Sequence, residues 1–373
     1  MKRTVIAILG VVLSSVAITP AKAASAVVGI NVVHPQSRTV AQENDILDNL
    51  KAAGVHIIRT GITPDDKTIG FVKRAYAIGI KVEWITSPKF PPDAPSRPYR
   101  PQEWPGIWAG PPLSYASADL SRSYFQALFD RLDAEGVQLA AVELGNEING
   151  ASFNPEFPLP GEGKQFGLRD LQQDPEGRQI ARGYLQYLKI LKVLKDVRDH
   201  SKLNRVTPIL SAGLVAYEAP EGPFGKGATK DMVSANATLE FWRSNGLDAL
   251  VDGYSVHVYP WANGPGQADA AAGRRSRLKA YVLKQCRPPG SADGKPCWLT
   301  EWGFKNTDAA CPAKETDQVA LVREMRDNFR PYVDDGRLKG LIYYAWIDTS
   351  ENFGVYRCGA LLETGRLAIA PMN

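Results

Sequence analysis

Leu139-Ala140-Ala141-Val142-Glu143-Leu144-Gly145-Asn146-Glu147 is an apolar, strand-like run that ends in a glutamate. Further along the chain, Cys297-Trp298-Leu299-Thr300-Glu301-Trp302-Gly303 has the same arrangement, again with a glutamate near its end. Runs that are apolar throughout are typical of strands buried on both faces of a parallel sheet. Both glutamates are therefore predicted to lie at the ends of buried strands.

Similar runs, bounded by Gly, Pro or Asn, alternate with segments whose apolar residues recur about every 3.6 positions. Alternation of this kind predicts βα units and a parallel sheet. Eight strands are predicted, at residues 27–34, 56–62, 81–87, 139–148, 206–214, 251–260, 297–302 and 340–348. Helices are predicted around Ile46-Leu47-Leu50 and at 120–132, 184–197 and 319–329. Eight such units predict an α/β fold, the (β/α)8 or TIM barrel.

The chain has 373 residues, whereas a (β/α)8 barrel usually needs about 250, so the surplus is expected in enlarged loops. Segments 88–114, 149–177 and 216–229 supply much of it. The first contains nine prolines together with Tyr99, Trp104 and Trp108. Because it lies between predicted barrel units, we interpret it as a semi-rigid loop and not as a domain boundary. Residues 24–373 are therefore expected to form one domain, with a short or missing final helix.

The N-terminus has the pattern of a cleavable export signal. Lys2 and Arg3 precede an apolar run, and Ala21-Lys22-Ala23 fits a small-residue cleavage site. Residues 1–23 carry three positive charges and no negative one, so the formal net charge falls from +4 to +1 without them. A nearly neutral protein is not expected to bind nucleic acid or an anionic membrane. No later apolar run approaches the roughly 20 residues that cross a bilayer, so a secreted or periplasmic protein without membrane insertion is predicted.

All four cysteines lie in the last quarter of the chain, and their even number predicts disulfides in an oxidising compartment. Of the three possible connectivities we favour Cys286–Cys297 with Cys311–Cys358. The first bond would close a short Pro/Gly-rich loop, and the second would link two predicted strand-end loops. A zinc site is the alternative, but irregular spacing and scattered histidines do not favour it.

Two carboxyl groups held close together can cleave a glycosidic bond. One protonates the departing oxygen, while the other, ionised, meets the oxocarbenium-like carbon. In a (β/α)8 barrel the reacting groups project from the C-terminal ends of the strands. Glu147 and Glu301 lie at that end of the fourth and seventh predicted strands. The alternative is that they are two unrelated exposed glutamates, since Asn-Glu is a common dipeptide.

Asn146-Glu147 after the fourth strand and Thr300-Glu301-Trp302-Gly303 after the seventh resemble the motifs of clan A glycoside hydrolases, retaining (β/α)8 enzymes that include families 5 and 39. This resemblance implies a single catalytic domain that hydrolyses O-glycosidic bonds of a β-linked oligo- or polysaccharide by double displacement. Glu147 would be the general acid/base, Glu301 the nucleophile, and Asn146 a contact to the sugar's 2-hydroxyl. No cofactor or metal is implied, and we expect a monomer.

The resemblance also implies substrate-binding roles for other strand-end residues. Arg59 ends the second strand, where clan A members carry an arginine close to the nucleophile. His257 and Tyr259 share one face of the sixth strand, and either could hydrogen-bond the nucleophile or a sugar hydroxyl. The alternatives are a surface salt bridge for Arg59 and a buried, backbone-paired histidine for His257. Glu83 and Glu143 could point into the barrel, towards a helix layer or into solvent.

Flat aromatic rings stack on the apolar C–H faces of sugars, and several tryptophans lie near the predicted strand ends. Trp346 on strand eight resembles the clan's tryptophan beneath the reacting sugar. Other candidates for sugar stacking are Trp302, Trp84, Trp261, Trp104 and Trp108. Core packing is the alternative for Trp346, Trp84 and Trp261.

Two other functions fit the same residues. One is a non-catalytic carbohydrate-binding barrel, and the other is a transglycosylase that passes the same covalent intermediate to a sugar acceptor. Two close carboxylates argue against a pure binder, because they repel each other and add nothing that binding needs. The chain contains no His-Glu-x-x-His, Gly-x-Ser-x-Gly or glycine-rich phosphate motif, which disfavours metal, serine and phosphate chemistry.

Overall fold

The computed structural model describes residues 25–216, 230–259, 275–276, 278–306, 315–347 and 352–372, together with residues 273 and 311. Within these ranges, eight strands form the wall of a barrel, close to the predicted positions. They are β1 (Val27–Asn31), β2 (Ile57–Gly61), β3 (Lys81–Thr86), β4 (Ala141–Leu144), β5 in two pieces (Ile209–Leu210 and Leu214–Val215), β6 (Tyr254–Val258), β7 (Cys297–Trp302) and β8 (Leu338–Tyr343).

Every pairing in this barrel is parallel. β1 pairs with β8 as well as with β2. The barrel closes at β5, whose first piece pairs with β4 and whose second piece pairs with β6. Isolated bridges from Asn146 to Gly213 and from Leu210 to Gly253 complete this seam. The (β/α)8 fold predicted from the sequence is confirmed.

Helices surround the barrel. Among the described residues, the α-helices with defined bounds are α1 (Val40–Ala52), α2 (Asp66–Ala77), α3 (Ala118–Ala134), α4 (Leu168–Gln173), α5 (Pro175–His200), α6 (Ala235–Ser244), α7 (Thr316–Asp334) and α8 (Glu363–Ile369). Several begin at a side chain that accepts a hydrogen bond from the first turn, as at Thr39, Asp65, Ser117 and Ser234. The predicted helices lie within α1, α3, α5 and α7, and α8 is short, as expected.

The side chains of each strand alternate between two buried environments. Ile58 and Val82 belong to the apolar core. The next residues, Arg59 and Glu83, point the opposite way, and Arg59 lies within ion-pair distance of both Glu83 and Glu143. Around Arg59 the interior of the barrel is therefore polar, whereas the layer between strands and helices is apolar. A separate, small apolar cluster consists of Ala141, Leu210 and Trp298.

Two predicted loops contain structure of their own. Segment 149–177 includes α4 and a short strand, Gln165–Phe166, that pairs with Met232–Val233. In the proline-rich segment 88–114, Arg97 and Gly110 form an antiparallel bridge. Both loops follow the C-terminal ends of strands, so they lie at the end of the barrel where Glu147 and Glu301 are found.

The two disulfides follow the favoured pairing, Cys286 with Cys297 and Cys311 with Cys358. They fit the oxidising compartment that the cysteine count predicts. None of the helices in the described ranges combines the length and the apolarity that crossing a bilayer requires. Residues 1–23, interpreted as an export signal, lie outside the described residues, as does Trp261.

Candidate active site

The structure brings Glu147 and Glu301 together at the C-terminal end of the barrel. A carboxylate oxygen of each and a ring nitrogen of His257 lie within 4.8 Å of one another. Glu147 follows β4 in the left-handed backbone conformation, with a φ of 47°. Its N–H donates to the carbonyl of Gly213 at 2.7 Å, which fixes the turn against the barrel seam. Such sparsely populated conformations cluster at functional sites.

Arg59 holds one oxygen of Glu301. Its Nη1 donates to Oε1 of Glu301 at 2.6 Å and to Oδ1 of Asn31 at 2.8 Å. Its Nε donates to Glu143 at 2.7 Å, and its Nη2 reaches Asn146 at 3.3 Å. Burial would lower the pKa of Arg59, but the charges of Glu143 and Glu301 outweigh burial and raise that pKa above its ordinary value. Arg59 is therefore a permanent positive charge that positions the Glu301 carboxylate.

Tyr259 holds the other oxygen of Glu301, because its hydroxyl donates to Oε2. The Tyr259 ring contacts Tyr344 and Phe353, with ring centroids 6.0 and 5.3 Å away. Burial and the charge of Glu301 raise the pKa of Tyr259, so its hydroxyl stays protonated at neutral pH. Both carboxylate oxygens of Glu301 thus accept a hydrogen bond from a fixed donor.

His257 connects the two glutamates from the wall of the barrel. Its Nδ1 lies 2.9 Å from Oε1 of Glu147 and 3.5 Å from Oε2 of Glu301, and its Nε2 lies 3.9 Å from Glu143. Burial would lower the pKa of His257, but the three carboxyl groups outweigh it and raise that pKa to about 10. At neutral pH His257 is therefore charged and donates its Nδ1–H to Glu147.

The charge on His257 should make the protein less stable at alkaline pH. Since its folded pKa of about 10 exceeds the ordinary 6.5, this stabilisation is complete below pH 6.5 and is lost as the pH rises through 10. The shift corresponds to at most about 5 kcal/mol. Urea unfolding between pH 6 and pH 10 measures the free energy of unfolding, which should fall more for wild type over that interval than for His257→Asn. Equal losses would contradict a charged histidine.

Gly213, in the break of β5, leaves the space that His257 occupies. A Cβ at this position would lie 2.1 Å from Nε2 of His257 and 2.7 Å from Oε1 of Glu143. Neither side chain can retreat without losing its contacts to Glu147 and Arg59. Only a residue without a Cβ therefore lets His257 and Glu143 keep their positions in the site.

Gly213→Ala is expected to displace His257 and to lower kcat on the order of 100-fold. Overpacking of this kind should also reduce the free energy of unfolding by about 1–3 kcal/mol. Gly61→Ala is the matched control, since a Cβ on this β2 glycine meets no atom closer than 3.9 Å. Thermal unfolding and steady-state kinetics of the two variants check the prediction, and wild-type behaviour of Gly213→Ala would refute it.

Glu143 lies one layer deeper in the barrel. It accepts hydrogen bonds from Arg59, from the backbone N–H of Gly213 at 2.9 Å and from the hydroxyl of Ser255 at 3.1 Å. Burial would raise the pKa of Glu143, but Arg59 and His257 lower it to about 2. Glu143 is therefore a fixed negative charge that anchors Arg59.

Glu83 is buried beside Glu143 and differs from it in protonation. Neither of its carboxyl oxygens has an N–H or O–H donor among the described residues. Arg59 Nε lies 3.8 Å away but directs its hydrogen bond to Glu143. Burial and the charge of Glu143 raise the pKa of Glu83 well above its ordinary value. Burial and its negatively charged neighbour therefore favour the protonated, neutral form of Glu83.

Asn31 at the end of β1 is a member of the site that the sequence pattern does not single out. Its side-chain amide donates to the carbonyls of Thr300 and Tyr343, while its oxygen accepts from Arg59. It thereby joins β1 to β7 and β8 around the arginine. The one signal in the sequence is a lone amide side chain at the end of an apolar strand.

Two of the tryptophans predicted to bind sugar lie in the apolar core. Trp84 packs edge-on against Phe125 of α3, and Trp302 packs edge-on against Phe329 of α7. Both rings are fully buried. Alternation along β3 and β7 turns these rings towards the helices, because the glutamate before each of them points into the barrel. Neither ring has a surface to offer a sugar.

Trp346, just after β8, is also fully buried and stacks on Tyr356, with ring centroids 5.0 Å apart. Its indole N–H has no hydrogen-bond partner within the described part of the chain. This ring also belongs to the apolar core and has no exposed face to offer a sugar. In the loop after β3, by contrast, the Trp108 side chain is about half exposed.

Glu147, His257 and Glu301 also lie close enough together to hold a cation. However, Arg59 and Tyr259 already donate to both oxygens of Glu301, and Arg59 places a positive charge 2.6 Å from one of them. A cation would have to displace these donors and lie next to that charge. The donor set favours acid–base chemistry over metal binding.

No protein-family model and no curated protein matches this sequence. Many solved structures share its fold. A fungal β-1,4-galactanase has a TM-score of 0.51 and 16% identity, over 92% of this chain and 93% of that chain. The exo-β-1,4-mannosidase Op5Man5 from Opitutaceae bacterium strain TAV5 has a TM-score of 0.52 and 13% identity, over 92% of this chain and 58% of that chain. A Faecalibacterium prausnitzii β-glucuronidase has a TM-score of 0.52 and 14% identity, over 92% of this chain and 48% of that chain.

At these identities the likeness establishes a shared fold. The chain spans nearly the whole galactanase but only about half of the other two proteins. All three are named as glycosidases, in agreement with the resemblance of the strand-end motifs to clan A glycoside hydrolases.

Proposed function

We propose that this protein is a retaining glycoside hydrolase that cleaves an O-glycosidic bond by double displacement. The observation that carries this proposal is the pair Glu147 and Glu301, because one carboxylate oxygen of each lies within 4.8 Å of one of the other. Retaining enzymes hold their two carboxyl groups about 5–5.5 Å apart, whereas inverting enzymes keep about 6.5–9.5 Å to admit a water molecule. The separation favours the retaining mechanism.

Glu301 is the nucleophile in this proposal. Arg59 and Tyr259 fix its two oxygens, so one of them can be aimed at the anomeric carbon. Its attack forms a covalent glycosyl-enzyme while the bond between that carbon and the leaving oxygen breaks. Fixed donors of this kind contribute to catalysis because they need no reorganisation during the reaction.

Glu147 is the general acid and then the general base. It gives its proton to the leaving oxygen in the first step, and in the second step it takes a proton from the water that hydrolyses the glycosyl-enzyme. His257 orients it through the contact at 2.9 Å. In this proposal Asn146, whose oxygen accepts from Arg59 at 3.3 Å, contacts the sugar's 2-hydroxyl.

The substrate class we infer is a β-linked oligo- or polysaccharide outside the cytoplasm. The galactanase, the mannosidase and the glucuronidase named above all carry β in their names. The signal-like N-terminus and the two disulfides support an exported protein.

A substrate screen with stereochemical analysis tests this function. Purified protein is offered aryl β-glycosides and plant and bacterial polysaccharides, and NMR follows the anomeric configuration of the first product. We expect retention. An inverted product would overturn the mechanism, whereas transfer to added sugar acceptors in place of water would identify a transglycosylase. Saturable glycan binding without turnover would identify a non-catalytic barrel.

A further inference from the structure

Three aromatic side chains at the catalytic end of the barrel lie in contact with one another and are exposed. Tyr99 and Trp108 belong to the loop after β3, and Phe153 belongs to the loop after β4. Their exposed fractions are 53%, 51% and 37%. Trp108 lies 5.5 Å from Tyr99 and 6.4 Å from Phe153 between ring centroids, at interplanar angles of 6° and 24°. We call these three residues the aromatic ridge.

The two loops that carry the ridge are joined by hydrogen bonds to backbone groups, none of which involves the three aromatic side chains. The N–H of Trp108 donates to the carbonyl of Ser152 at 2.9 Å, which joins the two loops. The guanidinium of Arg97 donates to the carbonyls of Trp108, Ser152 and Asn154. A surface fixed in this way loses little entropy when it binds a ligand.

The ridge is close to the proposed catalytic acid along the chain. Phe153 is six residues after Glu147, a span of at most about 22 Å for extended chain. The true separation is shorter, because Gly150 N–H donates to Glu147 and Phe153 N–H donates to Gly150. A polymer whose scissile bond lies at Glu147 and Glu301 can therefore extend to these rings.

The chemistry of the ridge suits a neutral glycan. Exposed aromatic rings in mutual contact mark a binding surface, and flat rings stack on the apolar C–H faces of sugars. The nearby positive charges are already engaged, since Arg97 donates to carbonyls and Arg100 pairs with Glu103 at 3.2 Å. Arg100 is thus neutralised by Glu103, and Arg97 keeps its charge but directs its N–H groups at backbone carbonyls and not at a ligand.

We propose that Tyr99, Trp108 and Phe153 form a remote binding surface for the glycan chain, beyond the sugars next to the scissile bond, so that the preferred substrate is a polysaccharide. This inference rests on the proposed glycosidase function. It predicts that the ridge contributes to the hydrolysis of long chains and contributes nothing to the hydrolysis of small aryl glycosides.

The test compares kcat/KM on the best polysaccharide with kcat/KM on an aryl glycoside. Trp108→Ala and Tyr99→Ala should each lower the value for the polymer by roughly 10- to 100-fold, since an aromatic contact area is lost. The value for the aryl glycoside should stay at the wild-type level. Trp108→Phe, which keeps a flat ring, should restore much of the activity on the polymer. Leu203→Ala, an exposed apolar residue at the opposite end of the barrel, is the control.

Three outcomes would refute the proposal that the ridge binds glycan. The first is wild-type kinetics on the polymer in both alanine variants, and the second is an equal loss of kcat/KM on both substrates. The third is a change in oligomeric state with unchanged kinetics, which would point to a protein partner. If no glycan is hydrolysed, the catalytic proposal fails separately, and affinity electrophoresis in polysaccharide gels still tests the ridge. If a polysaccharide slows the migration of wild type but not that of Trp108→Ala, the result supports glycan binding by the ridge. If both proteins are slowed equally, or if no polysaccharide slows wild type, glycan binding by the ridge is refuted.

Discussion

Replacing Glu301 by glutamine should lower kcat by about 10⁴-fold or more, since removal of a covalent nucleophile costs rates of this order. The amide cannot form the glycosyl-enzyme. It can keep the local contacts, because its oxygen can accept from Arg59 and its NH2 can donate to the hydroxyl of Tyr259. We therefore expect a folded protein without turnover, measured by steady-state kinetics and by thermal unfolding.

Glu240→Gln is the matched control for this variant, because Glu240 is an exposed residue of α6, one of the helices outside the barrel. It should retain wild-type kcat. If Glu301→Gln unfolds, the loss of activity has no bearing on the nucleophile. If it is folded and turns over within about tenfold of wild type, Glu301 is not the nucleophile and the double displacement through it is refuted.

The barrel could be predicted from the sequence because its strands are continuous apolar runs separated by amphipathic helices. The break in β5 could not be predicted this way. Residues 206–214 form an ordinary strand-like run, and the interruption arises where His257 and Glu143 approach Gly213 from other strands. A contact between residues distant in sequence leaves no mark on local periodicity.

The polar centre could be predicted in part, since catalytic groups lie at the strand ends of a (β/α)8 barrel. The direction of neighbouring side chains was harder to infer, because a strand that is apolar over most of its length has only one or two polar residues to mark the interior. In Glu83-Trp84 and Glu301-Trp302, one residue faces the barrel and the other faces the helices. Both tryptophans were predicted to bind sugar, although the adjacent charge already marks the inward position.

Glu147→Ala should slow substrates with poor leaving groups by about 10²–10⁴-fold, the usual contribution of general acid–base catalysis. Activated aryl glycosides need no proton to depart, so their first step should be nearly unaffected. Their second step should become slow, because no base remains to activate water. Kinetics with leaving groups of graded acidity measure both effects.

Sodium azide should restore turnover in Glu147→Ala. The truncation opens space beside His257, whose charged Nδ1–H loses the carboxyl partner that lies 2.9 Å away in wild type. A small anion can occupy that position and attack the glycosyl-enzyme without a base, giving a glycosyl azide of retained configuration. Glu147→Gln is the matched control, since its side chain fills the same space and should prevent rescue. Rescue in neither variant, or a product of inverted configuration, would contradict the role of Glu147, because an acid/base on the leaving-group side must leave that side open when removed.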